Sequence, residues 1–373
     1  MLQTITIPHT ELIPEILQKL PGWYRSQADL RELPWRKSPT PYHTWLSEIM
    51  LQQTRASTVI PYYERFLAAL PDIAALAACD DDALMKLWQG LGYYSRARNL
   101  KKAATIICQE HNGKIPQDFK TLLALPGIGR YTASAIGSIA FGQPWPAVDG
   151  NVLRVLSRAL ASTADIALPA TKNSMEQALL PHYPQGETAG DLNQAFMDLG
   201  ATICLPKGTP HCPRCPLEKI CLARAEGLEQ ELPRKSSPQK RRRENRTILL
   251  LIQGDTVALH KRPPQGLLAG LWEFPNLEGK LNKAAIKEWL QTQGLSAKHI
   301  QKLSAAKHVF SHIEWHLSGW RIELTPPSDH ILQENSLPVI WVTQKELAEK
   351  YSLPSAFHYY LPKICSIEEG ISL

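Results

Sequence analysis

Four of the seven cysteines lie close together in the chain and could bind a metal centre. Cys204, Cys212, Cys215 and Cys221 are separated by seven, two and five residues. Four thiolates in one short segment can hold a [4Fe–4S] cluster or a tetrahedral zinc ion. Structural zinc sites more often use two close cysteine pairs, and here only the second and third cysteines are close. The spacing therefore favours an iron–sulfur cluster over zinc, and either metal over free thiols.

A glycine-containing turn could hold a phosphate group. Residues 125–131 read Leu-Pro-Gly-Ile-Gly-Arg-Tyr and lie between two helical patterns. Gly127 and Gly129 permit a tight turn and a close approach of the backbone. The free N–H groups at the start of the next helix can then face a phosphate without reading base sequence. Taken alone, this run favours an ordinary turn between two helices.

Two carboxylates could take part in breaking a glycosidic bond. Asp149 precedes a helical pattern, which it could simply cap. Beside a bound deoxyribose, it could instead stabilise the positive charge that develops on the sugar as the bond breaks. Glu48 lies in a mostly apolar helical segment. It could be a surface glutamate or a general acid whose pKa is raised by burial.

Together, these motifs resemble a known group of DNA repair enzymes. The glycine turn, the run 148–151 (Val-Asp-Gly-Asn) and the cysteine cluster are similar to the helix-hairpin-helix glycosylase superfamily, which includes endonuclease III and MutY. Residues 47–54 (Ser-Glu-Ile-Met-Leu-Gln-Gln-Thr) resemble the MutY signature. The resemblance implies base excision repair by a monofunctional adenine glycosylase, with Glu48 as the acid that protonates N7 of adenine. The family separates the first two cysteines by six residues, whereas this chain has seven.

The residue after the glycine turn separates two branches of that superfamily. Endonuclease III-like enzymes carry a lysine there, and its amine attacks the sugar to form a Schiff base. This sequence has Tyr131, which cannot form one. A pyrimidine glycosylase with lyase activity is therefore the disfavoured alternative.

The resemblance also implies roles for residues that no local pattern assigns. An adenine extruded from the duplex would contact a pocket formed by Arg31, Trp35, Tyr131, Asn151 and Gln194. Some relatives have a glutamate where this chain has Gln194. The resemblance further implies that four residues contact DNA, namely Gln53, Tyr93, Gly127 and Gly129.

The C-terminal third resembles a Nudix domain that has lost hydrolysis. Residues 272–275 (Trp-Glu-Phe-Pro) followed by a helix match that fold. Active Nudix hydrolases bind Mg²⁺ through paired glutamates on the helix, but here Gln291 and Thr292 replace them. A nucleotide diphosphatase is thus disfavoured. Phe310, Ser311 and His312 match the loop that reads 8-oxoguanine in MutY-like proteins.

Periodicity predicts the elements that position these residues. An all-α part has predicted helices at Pro41–Arg55, Pro61–Leu70, Asp81–Gln89, Ser95–Gln109, Asp118–Leu125, Tyr131–Phe141 and Val152–Leu160. An α+β part has predicted strands at Thr247–Gln253, Thr256–Arg262 and 312–318 and a helix at Lys283–Gln293. We therefore predict a multidomain chain: a helix-hairpin-helix glycosylase domain at 8–226, a basic linker at 227–246 and a Nudix-like domain at 247–365.

Bulk composition agrees with a DNA-binding partner. The chain has 373 residues, a formal net charge of +6 and an isoelectric point of about 8.8, which suits a polyanion. No stretch approaches the apolar length of a membrane span, and the first residues lack a secretory pattern. We expect a cytoplasmic, monomeric protein without a membrane partner. Its expected ligands are double-stranded DNA holding A:8-oxoguanine or A:G mispairs and a [4Fe–4S] cluster.

Overall fold

Local capping signals fix the start of the helix that carries Glu48. Thr40 accepts a hydrogen bond from the backbone N–H of His43 (3.1 Å), and Pro41 occupies the first turn of helix α3 (Pro41–Leu51). Both residues favour a helix start, because the threonine satisfies a free N–H and the proline lacks one. The helix begins where the sequence predicts, but it ends at Leu51 rather than near residue 55.

The computed structural model describes residues 5–27, 32–237, 240–325 and 337–365. The α-helices are α1 (Ile13–Ser26), α2 (Pro34–Lys37), α3, α4 (Ala56–Ala69), α5 (Ile73–Ala78), α6 (Asp81–Trp88), α7 (Ser95–Glu110), α8 (Phe119–Ala124), α9 (Arg130–Phe141), α10 (Gly150–Ala159), α11 (Pro169–Leu179), α12 (Glu187–Thr202), α13 (Leu222–Ala225), α14 (Lys283–Thr292) and α15 (Gln344–Glu349). The strands are β1 (Arg242–Gln253), β2 (Thr256–Lys261), β3 (Trp272–Glu273), β4 (Asn276–Glu278), β5 (Ala297–Val309), β6 (Ile313–Leu324) and β7 (Val339–Thr343). Short 3₁₀ helices cover Thr10–Leu12, Leu180–His182, Cys212–Arg214 and Ser355–Lys363.

The chain forms two compact units, residues 1–78 with 98–238 and residues 79–97 with 239–373. Within its described residues the first unit contains helices and no strand, which confirms the predicted all-α part. Its main core lies between α1, α10, α11 and α12 and includes the fully buried side chains of Leu20, Leu156 and Phe196. Burial of such apolar side chains stabilises each by roughly 1.5–3 kcal/mol, and this core holds α10 and α12 beside one another.

The second unit is built on one mixed sheet. Its strands follow the order β3-β2-β1-β6-β5, with β4 on β1 and β7 on β2. β1 and β6 are parallel, and the other pairs are antiparallel. Successive side chains of β1 enter two different cores, because side chains of a strand alternate between its faces. Ile248 and Leu250 lie on one face, and Leu249 and Leu251 pack with α14 on the other. The predicted α+β part is therefore confirmed.

The region between the two predicted domains differs from an extended linker. β1 begins at Arg242, because residues 242–246 pair with β6 in parallel register. Leu232 is buried, and its carbonyl accepts a hydrogen bond from Arg158 Nε (2.8 Å). The N–H of Ile166 donates to the carbonyl of Arg234 (3.0 Å). Part of the segment therefore packs on the first unit, although its composition is polar and basic.

Residues 79–97 also differ from the sequence-based domain limits. They group with the second unit, where Asp82 of α6 accepts hydrogen bonds from Lys261 Nζ (3.0 Å) and Trp272 Nε1 (3.1 Å). Both partners lie on strands more than 170 residues away. Local periodicity carries no information about such partners, so the sequence assigns this segment to its neighbours in the chain.

Candidate active site

Glu48 lies on α3 and is surrounded by groups that change its proton affinity. Burial raises the pKa of Glu48 from 4.5 to about 7. The hydrogen bond from Tyr131 lowers this pKa, the negative charge of Asp149 raises it, and the positive charge of Arg36 lowers it. Burial is the largest of these effects, because a carboxylate loses hydration inside the protein. Glu48 can therefore hold a proton near neutral pH.

Tyr131 is the direct hydrogen-bond partner of Glu48. It is the second residue of α9, and its hydroxyl donates to Glu48 Oε2 (2.9 Å). The same hydroxyl lies 3.4 Å from the sulfur of Met197 on α12. Burial raises the pKa of Tyr131 well above 10, and the charge of Glu48 adds to the rise. The tyrosine is therefore a neutral donor that fixes the orientation of the Glu48 carboxyl group.

Asp149 caps α10, as the simpler interpretation of the sequence predicts. Its Oδ1 accepts the backbone N–H groups of Asn151 (2.8 Å) and Val152 (2.9 Å), and its Oδ2 accepts the Asn151 side chain (2.8 Å). Burial raises the pKa of Asp149 overall, although these hydrogen bonds and the charge of Arg154 oppose the rise. Capping does not exclude chemistry, because the negative charge of Asp149 still acts on Glu48.

Behind Asp149, a polar network links α10 to α12 and to the cysteine segment. Arg154 Nη2 donates to Asn151 Oδ1 (2.8 Å) and to the carbonyl of Gly200 (2.7 Å). Its Nε donates to the carbonyl of Cys204 (2.7 Å). A Cβ at Gly200 would lie 2.6 Å from Asn151 Cβ. Only glycine therefore lets α12 approach the network, which orients the Asn151 amide toward Asp149.

An ion pair that the sequence analysis missed closes the site on the α12 side. Arg36 donates from Nη1 and Nη2 to the two carboxylate oxygens of Asp198 (2.8 and 3.1 Å). Both side chains are largely buried. Burial by itself lowers the pKa of Arg36, but the hydrogen bonds and charge of Asp198 raise it overall. The local signal was the position of Arg36 directly after Trp35, whereas nothing local marks Asp198.

The expected adenine pocket is described in part. Trp35 is buried on α2, and its ring meets that of Tyr63 edge to face with centroids 5.4 Å apart. Gln194 is partly buried on α12. Arg31 lies outside the described residues. The structure thus places Trp35 and Gln194 on the two helices that also carry Arg36 and Asp198.

The glycine turn has the backbone that its sequence predicts. Gly127 has φ 78°, and a Cβ there would lie 2.7 Å from Asn99 Cβ. Gly129 precedes the first residue of α9, and no atom of the described residues lies within 4 Å of the place its Cβ would take. The first glycine therefore permits the turn, and the second keeps the helix N-terminus open. Gln53, which follows α3, is exposed with φ 57°.

The four clustered cysteines line one cavity of the first unit. Arg158 Nη1 donates to Cys204 Sγ (3.1 Å). Burial raises the pKa of Cys215 to about 12 and that of Cys221 to about 11. Over the ranges that the structure describes, no three His, Cys, Asp or Glu side chains are arranged to share one metal ion. The thiols therefore surround a space instead of converging on one point.

The loop expected to read the lesion connects β5 to β6 in the second unit. Phe310 packs against the rings of His308 and Trp315 (centroids 4.6 and 4.9 Å). Ser311 and His312 are exposed. The hydroxyl of Tyr93 lies 2.9 Å from Ser311 Oγ, and Tyr93 itself is 45% exposed with φ 46°. The structure thus brings together two residues that the sequence analysis assigned to different parts of the interface.

Gln291 and Thr292, which the sequence singles out, are the last two residues of α14. Thr292 Oγ1 donates to the carbonyl of Trp289 (2.7 Å), and Gln291 is exposed.

In the described part of the chain, no helix is long and apolar enough to cross a membrane.

Two family profiles match separate parts of this chain. Residues 46–181 match the HhH-GPD superfamily of base excision DNA repair proteins. Residues 247–363 match the NUDIX domain. The first match contains Glu48, Tyr131 and Asp149, and the second contains Ser311.

Relatives and a solved structure agree with these matches. The chain is 35% identical to an adenine DNA glycosylase of Homo sapiens, covering 87% of this chain and 69% of the relative. It is 32% identical to an adenine DNA glycosylase of Buchnera aphidicola subsp. Acyrthosiphon pisum, covering 92% and 93%. A thermostable thymine-DNA glycosylase has a similar structure, with a TM-score of 0.51, 27% identity, and coverage of 58% of this chain and 99% of that one.

Proposed function

The chain belongs to the adenine DNA glycosylases, which act in base excision repair. We propose that it excises adenine paired with 8-oxoguanine or guanine and uses Glu48 as the general acid. The observation that carries this proposal is the environment of Glu48, which accepts a hydrogen bond from the Tyr131 hydroxyl (2.9 Å) and whose pKa burial raises to about 7. A general acid works best when its pKa lies near the working pH. Adenine leaves poorly as an anion, and a proton delivered to N7 makes it a better leaving group.

In this mechanism Asp149 supports the sugar. Its carboxyl group accepts three hydrogen bonds, which favour the charged form and oppose the effect of burial. A fixed negative charge stabilises the oxocarbenium-like sugar that forms as the glycosidic bond lengthens. Asn151 orients this carboxylate, and Tyr131 orients Glu48. Because Tyr131 has no amine, water completes the reaction and the enzyme is monofunctional.

The remaining site residues bind DNA and the extruded base. The adenine must leave the duplex, because its reacting atoms are unreachable within the stack. We assign Trp35 and Gln194 to its pocket, and the family resemblance adds Arg31. Gly127 and Gly129 leave the N-terminus of α9 open to a phosphate, while Gln53 and Tyr93 contact the duplex beside the lesion.

Recognition of 8-oxoguanine belongs to the loop of Phe310, Ser311 and His312. Two of these side chains are exposed, and Phe310 anchors the loop through its aromatic contacts. The oxidised base differs from guanine by an N7–H donor and an O8 acceptor. Ser311 and His312 carry groups that can hydrogen-bond to both, so the loop can distinguish the two bases.

The cysteine cavity fits a [4Fe–4S] cluster. The four cysteines line one cavity, and [4Fe–4S] clusters are held by four cysteine thiolates. Cys204, Cys212, Cys215 and Cys221 would hold it. When bound, the cluster would order the loop between α12 and α13. Purified protein should contain about four irons per chain, and stoichiometric zinc without iron after anaerobic purification would overturn this assignment.

The substitution Glu48→Gln tests the acid directly. The amide keeps the shape of the side chain but cannot donate the proton. We expect the single-turnover excision rate on a duplex with A opposite 8-oxoguanine to fall by about 10²–10⁴-fold, the usual contribution of a general acid. Duplex binding should remain. The wild-type rate should fall as the pH rises through about 7.

The matched control is Glu64→Gln, because Glu64 is an exposed glutamate on the neighbouring helix α4. It should excise adenine at the wild-type rate. A near-normal rate for Glu48→Gln would sink the acid assignment. A comparison with duplexes holding thymine glycol opposite A, and with free 8-oxo-dGTP, separates the three candidate activities.

A further inference from the structure

We propose that Arg36 and Asp198 act together as positioning residues that keep Glu48 able to hold and release a proton near neutral pH. The inference rests on the proposed acid role of Glu48. Neither residue is assigned a part in the reaction by the sequence motifs, and both lie outside the segments that carry Glu48 and Asp149.

A series of contacts and one peptide bond connects the ion pair to the acid. Tyr131 donates to Glu48 and also touches Met197. Met197 precedes Asp198, whose two oxygens accept both terminal nitrogens of Arg36. A two-point contact of this kind fixes the plane and the position of the guanidinium. The ion pair therefore holds in place the positive charge of Arg36, which lowers the pKa of Glu48.

The charged and titratable groups that face Glu48 come from several elements. Tyr131 of α9 donates a hydrogen bond, Asp149 at the start of α10 contributes a negative charge, and Arg36 of α2 contributes a positive charge. Arg36 also lies over the ring of Tyr24 on α1 (5.5 Å to the centroid). The charge of Arg36 is balanced by Asp198 on α12, and that of Asp149 is opposed by Arg154.

Removing Arg36 and removing Asp198 should therefore shift the pKa of Glu48 in opposite directions. Without the arginine charge, Glu48 loses an attraction to its ionised form, and Arg36 no longer offsets the negative charge of Asp198. Without the aspartate charge, the guanidinium is free to attract the Glu48 carboxylate. Opposite charges favour ionisation, and like charges disfavour it. R36Q should raise the pKa of Glu48, and D198N should lower it.

The experiment measures the pH dependence of single-turnover excision for the full-length holoprotein and three variants, from about pH 5 to about pH 9. The rate falls at high pH as the acid ionises. This alkaline limb should move up by about one pH unit in R36Q and down by about one unit in D198N. In the double variant R36Q/D198N it should lie between wild type and R36Q. A ¹³C NMR titration of the Glu48 carboxyl, assigned by its absence in E48Q, should give the same order without DNA.

A second ion pair on α12 provides the matched control. Arg25 of α1 donates to Asp191 (2.7 Å). The variants R25Q and D191N also break a pair between α12 and a neighbouring helix, but no effect of either residue on Glu48 is seen. They should leave the limb in place. Lower rates in R36Q and D198N with unmoved limbs would mean that the pair is only structural, which overturns the proposal.

Failure of the proposed function looks different. In that case wild type shows no alkaline limb and E48Q retains its rate. If a charge-removing variant does not fold, as judged by its circular dichroism melt, the alkaline limb of R36K tests the proposal instead. Lysine keeps a positive charge at this position, so the limb should stay within about half a unit of wild type. A displacement of about one unit or more in R36K would overturn the proposal.

Discussion

The site around Glu48 and the loop of residues 310–312 solve opposite physical problems. Glu48 and Asp149 are enclosed and make several hydrogen bonds to neighbouring helices. Ser311 and His312 are exposed on a turn between two strands. Proton transfer requires a shifted pKa and fixed groups, which burial supplies. Recognition of a base requires polar groups that remain open until the partner arrives. The comparison predicts large effects for changes in the first region and small, selective effects in the second.

The largest expected effect follows from Asp149→Asn, because asparagine caps a helix about as well as aspartate. If Asp149 were only a cap, the variant would keep both its stability and its excision rate. If the charge is required, the rate should fall by roughly 10³-fold, as for the loss of one main electrostatic stabiliser. Single-turnover excision and a thermal melt measure the two properties. Asp118→Asn is the control, because Asp118 caps α8 by the same type of contact and its variant should remain active.

The second prediction concerns how the ionisation of Glu48 changes the free energy of unfolding. Glu48 has a pKa of about 7 in the folded protein and an ordinary value of 4.5. The folded state therefore keeps the proton where the unfolded chain has lost it, and the stability linked to Glu48 is full below about pH 4.5 and lost as the pH rises through about 7.

Glu48→Gln removes this loss, because the amide never ionises. The variant should be more stable than wild type at about pH 8, by about 2 kcal/mol for a partly screened group, and equal to it at about pH 4. Urea unfolding at both pH values measures this difference, with Glu64→Gln as the control. Equal stability at about pH 8 would contradict a buried Glu48 that retains its proton.

Tyr131→Phe should have an intermediate effect. The lost hydroxyl donates to Glu48, and such a bond lowers the pKa of the acid. Its removal should shift the alkaline limb of excision upward by about one pH unit and lower the maximal rate by roughly tenfold. A rate profile superimposable on that of wild type would mean that the contact does not orient the acid. Borohydride trapping should give little covalent complex for either protein.

The difference between the regions also explains what the sequence could reveal. Glu48 and Asp149 lie within short local motifs, so their positions were evident before the structure. Arg36 and Asp198 act through a contact between helices 162 residues apart in the chain, which no local pattern encodes. β1 begins in a polar run resembling a linker, because its first residues pair with β6. Helix α11 begins with Pro169 in its first turn, a local signal that the sequence analysis did not use.

The smallest effect belongs to Ser311→Ala in the exposed loop. Its hydroxyl contacts Tyr93 (2.9 Å) and is free to bond the base opposite the adenine as well. Losing one such hydrogen bond costs about 1 kcal/mol, so the ratio of excision from A:8-oxoguanine to excision from A:G should fall about fivefold while the rate on A:G stays unchanged. Tyr93→Phe should lower the ratio less, because it removes only the support of Ser311. Ser304→Ala, an exposed serine on β5, is the control. If the ratio is unchanged even in a Ser311→Ala/His312→Ala double variant, the loop does not read the lesion, and discrimination must come from residues such as Gln53.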